Sequence, residues 1–487
     1  MNMTNLVWFR NDLRIFDNPA LSKAMATGHC IAVYYITDEQ WDNHGLSKLK
    51  RQLIMEHLRQ LESSLSRLNV PLIIFDGHSS ATSAEMLINT CIEWKVSDVF
   101  FNHEYGFNEL RLTHTVEAGL TKHNINIHGF HEQCIIEPGS ITNGQGECYK
   151  VFGAFKKKWH SLFSQQARPI FSKPKAQTHA PSALEITPVE SDLTRLKNYE
   201  ISIPLKARWL FSEIEAHEHL SDFVETQVGQ YHLERDIPSL DSTSQLSTLL
   251  ALGIITTRQC LQAVINSNQS SKSNVLGAYS IDTLNEGALC WVNELVWRDF
   301  YRHILVSYPR ISKGRAFIIE TENLPWLVKS PSFDDWCNGL TGIPIIDAAM
   351  RQLNETGWMH NRLRMVTAMF LTKHLHIDWR LGEQYFYSKL ADADLASNNG
   401  GWQWSASTGV DAAPYFRIFN PYRQAERFDP NGDYVRKYVK ELSSIEGKAI
   451  HKPSEALAKH LKYPTVIVDL KVAADITKSY FKNLKRQ

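Results

Sequence analysis

The chain carries no excess of either charge: 52 lysines and arginines stand against 52 aspartates and glutamates over 487 residues. A protein that is strongly basic throughout, built to coat nucleic acid, is thereby excluded. Split at residue 131, the first part holds 11 basic against 14 acidic residues and the second 41 against 38, so the halves differ by −3 and +3. A local phosphate-binding patch in the second part stays open. Cysteine is scarce: the seven residues Cys30, Cys91, Cys134, Cys148, Cys260, Cys290 and Cys337 are scattered and never form a CxxC pair. Neither a disulfide framework nor a zinc site is indicated, and a reducing, cytoplasmic setting is expected. Long apolar runs and a basic stretch leading into an apolar N-terminal segment are both missing, so a soluble protein with no membrane partner is expected. No internal repeat is visible. Also missing is a GxGxxG after the first apolar run; the turn there reads Arg10-Asn11-Asp12-Leu13-Arg14, so that turn is not expected to hold a dinucleotide in the usual Rossmann manner.

What is present is enough apolar residue, 43%, to fill two or more cores. Residues 5 to 131 alternate β-rich runs with amphipathic stretches: Asn5 to Arg10, Ile31 to Thr37, Pro71 to Phe75, Asp98 to Asn102 and Asn124 to His128. Between the second and third, Leu49, Leu53, Leu58, Leu61, Leu65 and Leu68 mark one helix face. Five strands joined by crossover helices predict a Rossmann-like, doubly wound parallel five-stranded sheet. From about 165 to 205 the chain is rich in Pro, Ser, Thr and Lys without periodicity, including Ala180-Pro181-Ser182 and Thr187-Pro188, which reads as a long linker. Helical spacing dominates beyond it. The expected organisation is an α/β domain over 1–131, a linker over 132–205 and an all-α domain over 206–487.

Tryptophan is concentrated. Of 13, eight (291, 297, 326, 336, 358, 379, 402 and 404) fall between 291 and 404. A lone tryptophan is ordinarily a packed core residue, but Trp402 and Trp404, two apart in what reads as a glycine-rich loop from Asn398 to Ser407, suggest a held aromatic ligand. On a helix, Trp291, Glu294, Trp297, Arg298 and Tyr301 share an arc of about 120°, with Val292, Leu295, Val296 and Phe300 behind. That face suits either the lining of a polar cavity or an amphipathic surface with a Glu–Arg pair. A second helix, from Gly357 to about Leu375, places Trp358, Asn361, Arg364, Met365 and Ala368 on one side, suited to a flat, heteroatom-rich ligand or, for Asn361 and Arg364, to capping and solvent. Asp392 and Asp394 lack further ligands at metal spacing, and no metal is expected.

These segments together resemble the cryptochrome/photolyase family. The residues that carry the resemblance are Trp291-Val292-Asn293-Glu294-Leu295-Val296-Trp297-Arg298, Gly357 to Met365, Asp392-Ala393-Asp394 and Asn398 to Ser407. The opening Leu6 to Arg14 and Asp411-Ala412-Ala413-Pro414-Tyr415-Phe416-Arg417 extend it over nearly the whole chain. It is nearest to the bacterial class I photolyases of cyclobutane pyrimidine dimers. The resemblance implies a helical domain holding FAD, reduced in its active form, with Tyr231, Thr243, Ser244, Gln245, Leu246 and Ser247 on the phosphate and ribose side. At 245 the family usually has arginine. Arg364, Asp392, Ala393, Asp394 and Asn398 would surround the flavin, and Trp291, Glu294 and Asn361 would also touch the cofactor. The implied reaction is light-driven electron transfer from FAD to a dimer flipped out of UV-damaged DNA.

Glu294, Trp297, Asn361, Met365 and Trp404 are the implied catalytic residues; the two tryptophans would stack on the dimer, and a carboxyl desolvated among aromatics holds its proton more tightly. Arg235, Trp297, Arg298, Tyr301, Asn361, Arg362, Trp404, Arg417 and Gln424 match DNA-contacting positions. Trp402, Trp379 and Trp326 match the chain that reduces the flavin. His44, Asn108, Glu109 and Lys313 match the pocket of a 5,10-methenyltetrahydrofolate antenna, with Ser312 where a cysteine is found in that branch's best-known member. Photolyases of (6-4) photoproducts carry histidines where Asn361 and Met365 stand. DASH cryptochromes usually carry tyrosine at 297 and 404. The long polar C-terminal extension of many signalling cryptochromes is not expected here. A blue-light receptor using the same flavin pocket is the alternative reading, and an electron-transfer flavoprotein without DNA affinity a third. A monomer with no obligate protein partner is expected.

Overall fold

The structure, a computed structural model, describes residues 4–165, 168–178, 202–209, 212–268, 275–276 and 281–484. The middle of the expected linker, with Ala180-Pro181-Ser182 and Thr187-Pro188, lies outside these. Two compact units draw their described residues from Met1–Tyr149, Gly153–Gly229 and Ser244–Ser307, and from Lys150–Phe152, Gln230–Thr243 and Tyr308–Gln487.

In the first unit the five apolar runs form β1 (Thr4–Phe9), β2 (His29–Ile36), β3 (Leu72–Asp76), β4 (Asp98–Asn102) and β5 (Asn126–Phe130). Their order is β3-β2-β1-β4-β5, parallel throughout, with Leu6 of β1 paired to Ile31 and to Val99. Parallel neighbours need crossovers, supplied by α1 (Pro19–Thr27), α2 (Lys48–Ser66), α3 (Ser80–Glu93) and α4 (Phe107–Thr121). Central β1 is covered on both faces, so Leu6, Val7, Trp8 and Phe9 are all buried. On α2, Leu53, Leu58, Leu61 and Leu65 are buried as their spacing predicts.

The same unit continues through α5 (Phe152–Phe163), α6 (Glu213–Thr226), α7 (Ser247–Leu252), α8 (Thr257–Ser267) and α9 (Glu286–Ser307). Asp299 of α9 is fully buried and accepts from Ile135 N at 3.1 Å, Ile136 N at 3.2 Å and Trp159 Nε1 at 2.9 Å. One carboxylate thus anchors the segment after β5 and helix α5 onto α9. Burial outweighs these donors and pushes Asp299 up to about 6.

The second unit is helical, with α10 (Pro344–Thr356), α11 (Asn361–Met369), α12 (Trp379–Lys389), α13 (Leu395–Ala406), α14 (Pro421–Phe428) and α15 (Leu470–Leu484). Two expectations are corrected here. The helix expected from Gly357 begins at Asn361, because Gly357 takes φ +70° as the C-cap of α10 and donates to Leu353 O at 2.9 Å. Trp358 therefore lies in the connection. His360 then caps α11 by accepting from Arg362 N at 3.1 Å, and from Phe370 to His374 the helix widens into a π turn. The expected loop from Asn398 to Ser407 is almost entirely the helix α13. Asp394 caps it by accepting from Ser397 N at 2.9 Å, Gln403 Nε2 bonds Asn399 Oδ1 at 2.8 Å one turn away, and Trp402 is buried. Packing outweighs the cost, about 1 kcal/mol each, of Gly400 and Gly401 in a helix.

Candidate functional site

In a doubly wound sheet ligands bind beyond the carboxyl ends of the strands where the order reverses, here beyond β1 and β4. The turn after β1 closes on Asp12, whose carboxylate accepts from Arg10 N at 2.7 Å and Asn102 Nδ2 at 2.6 Å. Arg10 lies over Trp8 at 4.5 Å and reaches Glu104 at 3.7 Å. Beside them Asn108 Nδ2 and His44 Nε2 are 2.8 Å apart, and Gln40 Nε2 donates to Glu109 Oε1 at 2.9 Å. Burial pushes both Glu104 and Glu109 up and His44 down. Three of the four expected antenna residues are therefore neighbours. Lys313, the fourth, is exposed at the end of the short helix Pro309–Lys313 in the second unit. Gln40, Glu104 and Arg10 were missed; Glu104 carried a signal, as a carboxylate just beyond a strand's carboxyl end. Among the described residues Asp38, Asp76 and His78 offer ligand atoms within 4.8 Å of one another; no other feature there points to an ion.

On α9 the expected face is half-buried at Glu294, Trp297, Arg298 and Tyr301, while Val292, Leu295, Val296 and Phe300 are buried. Trp297 and Tyr301 are 5.6 Å apart between ring centroids. Trp291, at the edge of the arc next to Leu295, is buried and packs on Phe223 at 5.2 Å. Arg298 Nη2 donates to Leu250 O at 3.0 Å. Leu246 is buried; Ser244, Gln245 and Ser247 are half-buried. His219 Nε2 lies 2.9 Å from Ser244 O, and Arg208 Nη2 stands 3.5 Å from Gln245 Oε1. A guanidinium thus borders Gln245.

In the second unit Arg364 joins the two expected segments: Nη2 bonds Asp392 Oδ2 at 2.8 Å and Nε bonds Met359 O at 2.8 Å. Asp392 is buried, and its Oδ1 has no hydrogen-bond partner. Asn398 Nδ2 donates to Glu383 O at 3.0 Å, and Asn399 Nδ2 to Glu383 Oε1 at 2.8 Å. Burial pushes Glu383 up to about 7, a residue sequence reasoning missed because it sits on a helix with no local motif. Ala393 and Tyr231 are buried, Thr243, Met365 and Trp404 half-buried, and Asn361 is exposed. Trp402 and Trp404, about 200° apart on α13, face opposite ways. Trp402 packs on Phe386 at 5.0 Å and Trp336 at 6.1 Å, and a Cβ on Gly382 would come within 2.1 Å of its ring. Leu327 N bonds His376 O at 2.9 Å and Asp378 N bonds Leu327 O at 3.1 Å, which sets Trp326 beside the start of α12 and Trp379. All three expected electron carriers have a buried indole N–H without an acceptor.

The expected DNA contacts of this unit are clustered in part. Arg235 and Arg362 share Asp236, at 3.9 Å and 2.7 Å. Arg417 is exposed, and its carbonyl accepts from the buried Lys373 Nζ at 3.3 Å, while His374 Nε2 lies 3.0 Å from Phe419 O. Gln424 is half-buried on α14.

A doubly wound unit with a polar cluster at its switch point and a helical unit rich in aromatic and charged side chains are the two parts that the comparisons match. Residues 5–176 match the DNA photolyase domain and residues 291–483 the FAD binding domain of DNA photolyase. The chain is 41% identical over 489 residues to a deoxyribodipyrimidine photo-lyase of Vibrio cholerae, covering 99% of each. Among solved structures it is similar to a bacterial class III photolyase from Agrobacterium tumefaciens, with TM-score 0.82 and 30% identity over 100% of this chain and 98% of that one. It is also similar to an archaeal photolyase from Sulfolobus tokodaii with two FAD molecules, described as implying a novel light-harvesting cofactor, with TM-score 0.78 and 27% identity over 99% and 100%. The chain belongs to the DNA photolyase family and carries that family's FAD binding domain.

Proposed function

We propose that this chain is a deoxyribodipyrimidine photo-lyase, repairing cyclobutane pyrimidine dimers in UV-damaged DNA with light. The carrying observation is the likeness to an enzyme of that name over 99% of both chains. When bound and reduced, FAD supplies the light-driven electron that opens the dimer. The donor set suits it: Arg364, held on Asp392, offers a cation, the unpartnered buried Asp392 Oδ1 an acceptor, and Asn398 an amide. With these we assign Tyr231, Thr243, Ala393 and Asp394 in the second unit, and Ser244, Gln245, Leu246, Ser247, Trp291 and Glu294 in the first. Trp402, Trp379 and Trp326 relay electrons to the cofactor. Trp297 and Trp404 stack on the flipped bases, Glu294, Asn361 and Met365 meet the lesion, and Arg235, Arg298, Tyr301, Arg362, Arg417 and Gln424 hold the strand.

We further infer that the polar cluster of the 1–131 domain, with His44, Asn108 and Glu109, holds an antenna, 5,10-methenyltetrahydrofolate; the Asn108 amide can donate to a pterin edge and the Glu109 carboxyl can accept from it. Lys313, the fourth residue expected in this set, is exposed in the second unit. The Sulfolobus photolyase with two FAD molecules makes a flavin the competing occupant. No described helix is long and apolar enough to cross a membrane; we infer a cytoplasmic monomer whose seven free cysteines stay reduced. In the dark, dimer-containing duplex should bind far more tightly than undamaged duplex, and Trp297→Ala should weaken the first selectively, by about one stacked base or ~1–3 kcal/mol. Equal affinity for the two duplexes in the parent protein would favour the receptor or the electron-transfer flavoprotein.

A further inference from the structure

We propose that Asp236 is a specificity-determining positioning residue: its carboxylate clamps Arg362 and restrains Arg235 so that they contribute to gripping damaged DNA while pulling less on undamaged duplex. This rests on the reading that both arginines contact DNA. Arg362, second residue of α11, donates Nε to Asp236 Oδ1 at 3.2 Å and Nη2 to Oδ2 at 2.7 Å, the two-pronged arrangement that fixes a guanidinium in plane and direction. Arg235 Nε lies 3.9 Å from the same carboxylate. Beneath, the Phe428 ring is 4.5 Å from the Arg362 guanidinium and 5.0 Å from that of Arg427. His360, two residues before Arg362, is pushed down to about 4 by burial and is neutral at pH 7.

Three arginines thus gather around a single carboxylate and a ring. The pair is not a buried structural one, since the side chains of Arg362 and Asp236 keep 18% and 31% exposure; at such exposure it is worth only ~0–1 kcal/mol to stability. Its consequence for binding is larger. Affinity for undamaged DNA follows the number of phosphates neutralised, whereas a lesion site also rewards groups held in one place. The carboxylate subtracts one charge from the first term and fixes donor direction for the second. Aligned along the sequence, only Arg235-Asp236 is visible; the partner is 126 residues away.

The test uses the FAD-loaded full chain in the dark, binding matched duplexes with and without one thymine dimer across salt. Asp236→Asn should bind undamaged duplex several-fold tighter at about 50 mM salt, with a log–log salt slope steeper by about 0.9, and the damaged-to-undamaged ratio should fall several-fold. Asp236→Glu should keep the parent slope and most of the ratio. Arg362→Lys breaks the two-pronged pair from the other side without changing charge; it should lose the ratio while retaining undamaged binding. Parent-like slope and ratio in Asp236→Asn, or equal weakening on both duplexes in Asp236→Asn and Arg362→Lys, overturns the proposal. If Arg362→Gln leaves both affinities at the parent level, the DNA-contact reading of Arg362 fails instead.

Discussion

At the scale of single residues the three tryptophans share a property that packing does not explain. Trp402 and Trp379 are buried and Trp326 half-buried, yet each keeps an indole N–H away from both solvent and any acceptor. Such a donor costs ~1–3 kcal/mol, and unsatisfied buried groups of this kind concentrate where a site serves chemistry. A neutral indole with no acceptor also has no base at hand to take its proton once oxidised, which suits the electron relay proposed for the series. Trp326→Phe retains the ring and removes the easily oxidised indole. Light should then no longer reduce oxidised flavin efficiently, as followed by absorbance, while chemically reduced protein still repairs dimers. Photoreduction at the parent rate would move the route to another tryptophan such as Trp336, 6.1 Å from Trp402.

At the scale of elements, α13 and α11 show where sequence reading succeeds and fails. The residues of Asn398 to Ser407 stand out by their composition, but their helix was not legible, because two adjacent glycines outvote a cap in any local scale and the packing of Trp402 against Gly382 on α12 is invisible along the chain. Gly357 misled in the other direction: a helical pattern runs through it, and only its left-handed φ ends α10 there. The π turn after α11 was likewise hidden, and it brings Lys373 and His374 against the backbone of Arg417 and Phe419. Burial pushes Lys373 down to about 7. The unfolded chain holds that proton up to about pH 10.5, so between about 7 and 10.5 the unfolded state binds more protons and stability rises with pH. Lys373→Met should therefore be more stable than the parent at pH 6 in chemical denaturation. The difference should shrink by about 1.4 kcal/mol per pH unit across that window. A pH-independent difference would show that Lys373 does not titrate in the fold.

At the scale of the whole molecule, the five-stranded parallel sheet was legible, because buried parallel strands such as β1 and β2 are continuous apolar runs and only the edge strand β5 is polar and exposed in part; so was the helical character of the chain from residue 206 onward. The polar cluster was legible only through the resemblance: His44 follows β2 while Asn108 and Glu109 open α4 after β4, and it is the reversal of strand order at β1 and β4 that gathers them. Glu104 was marked only by its place just beyond β4, and Gln40, which donates to Glu109, had no pattern to reveal it. Glu109→Ala should abolish the near-UV band of protein reconstituted with methenyltetrahydrofolate and leave flavin-driven repair intact; a parent protein that takes up a second FAD in its place would assign the cluster to a flavin antenna. The central claim is that reduced FAD in this chain repairs dimers with light. Its most direct test illuminates chemically reduced, FAD-loaded protein with dimer-containing oligothymidylate under blue light and follows the recovery of thymine absorbance. Recovery over many turnovers in light and none in the dark is the predicted result; dimers left intact in light, with FAD reduced and the oligonucleotide bound, would contradict it.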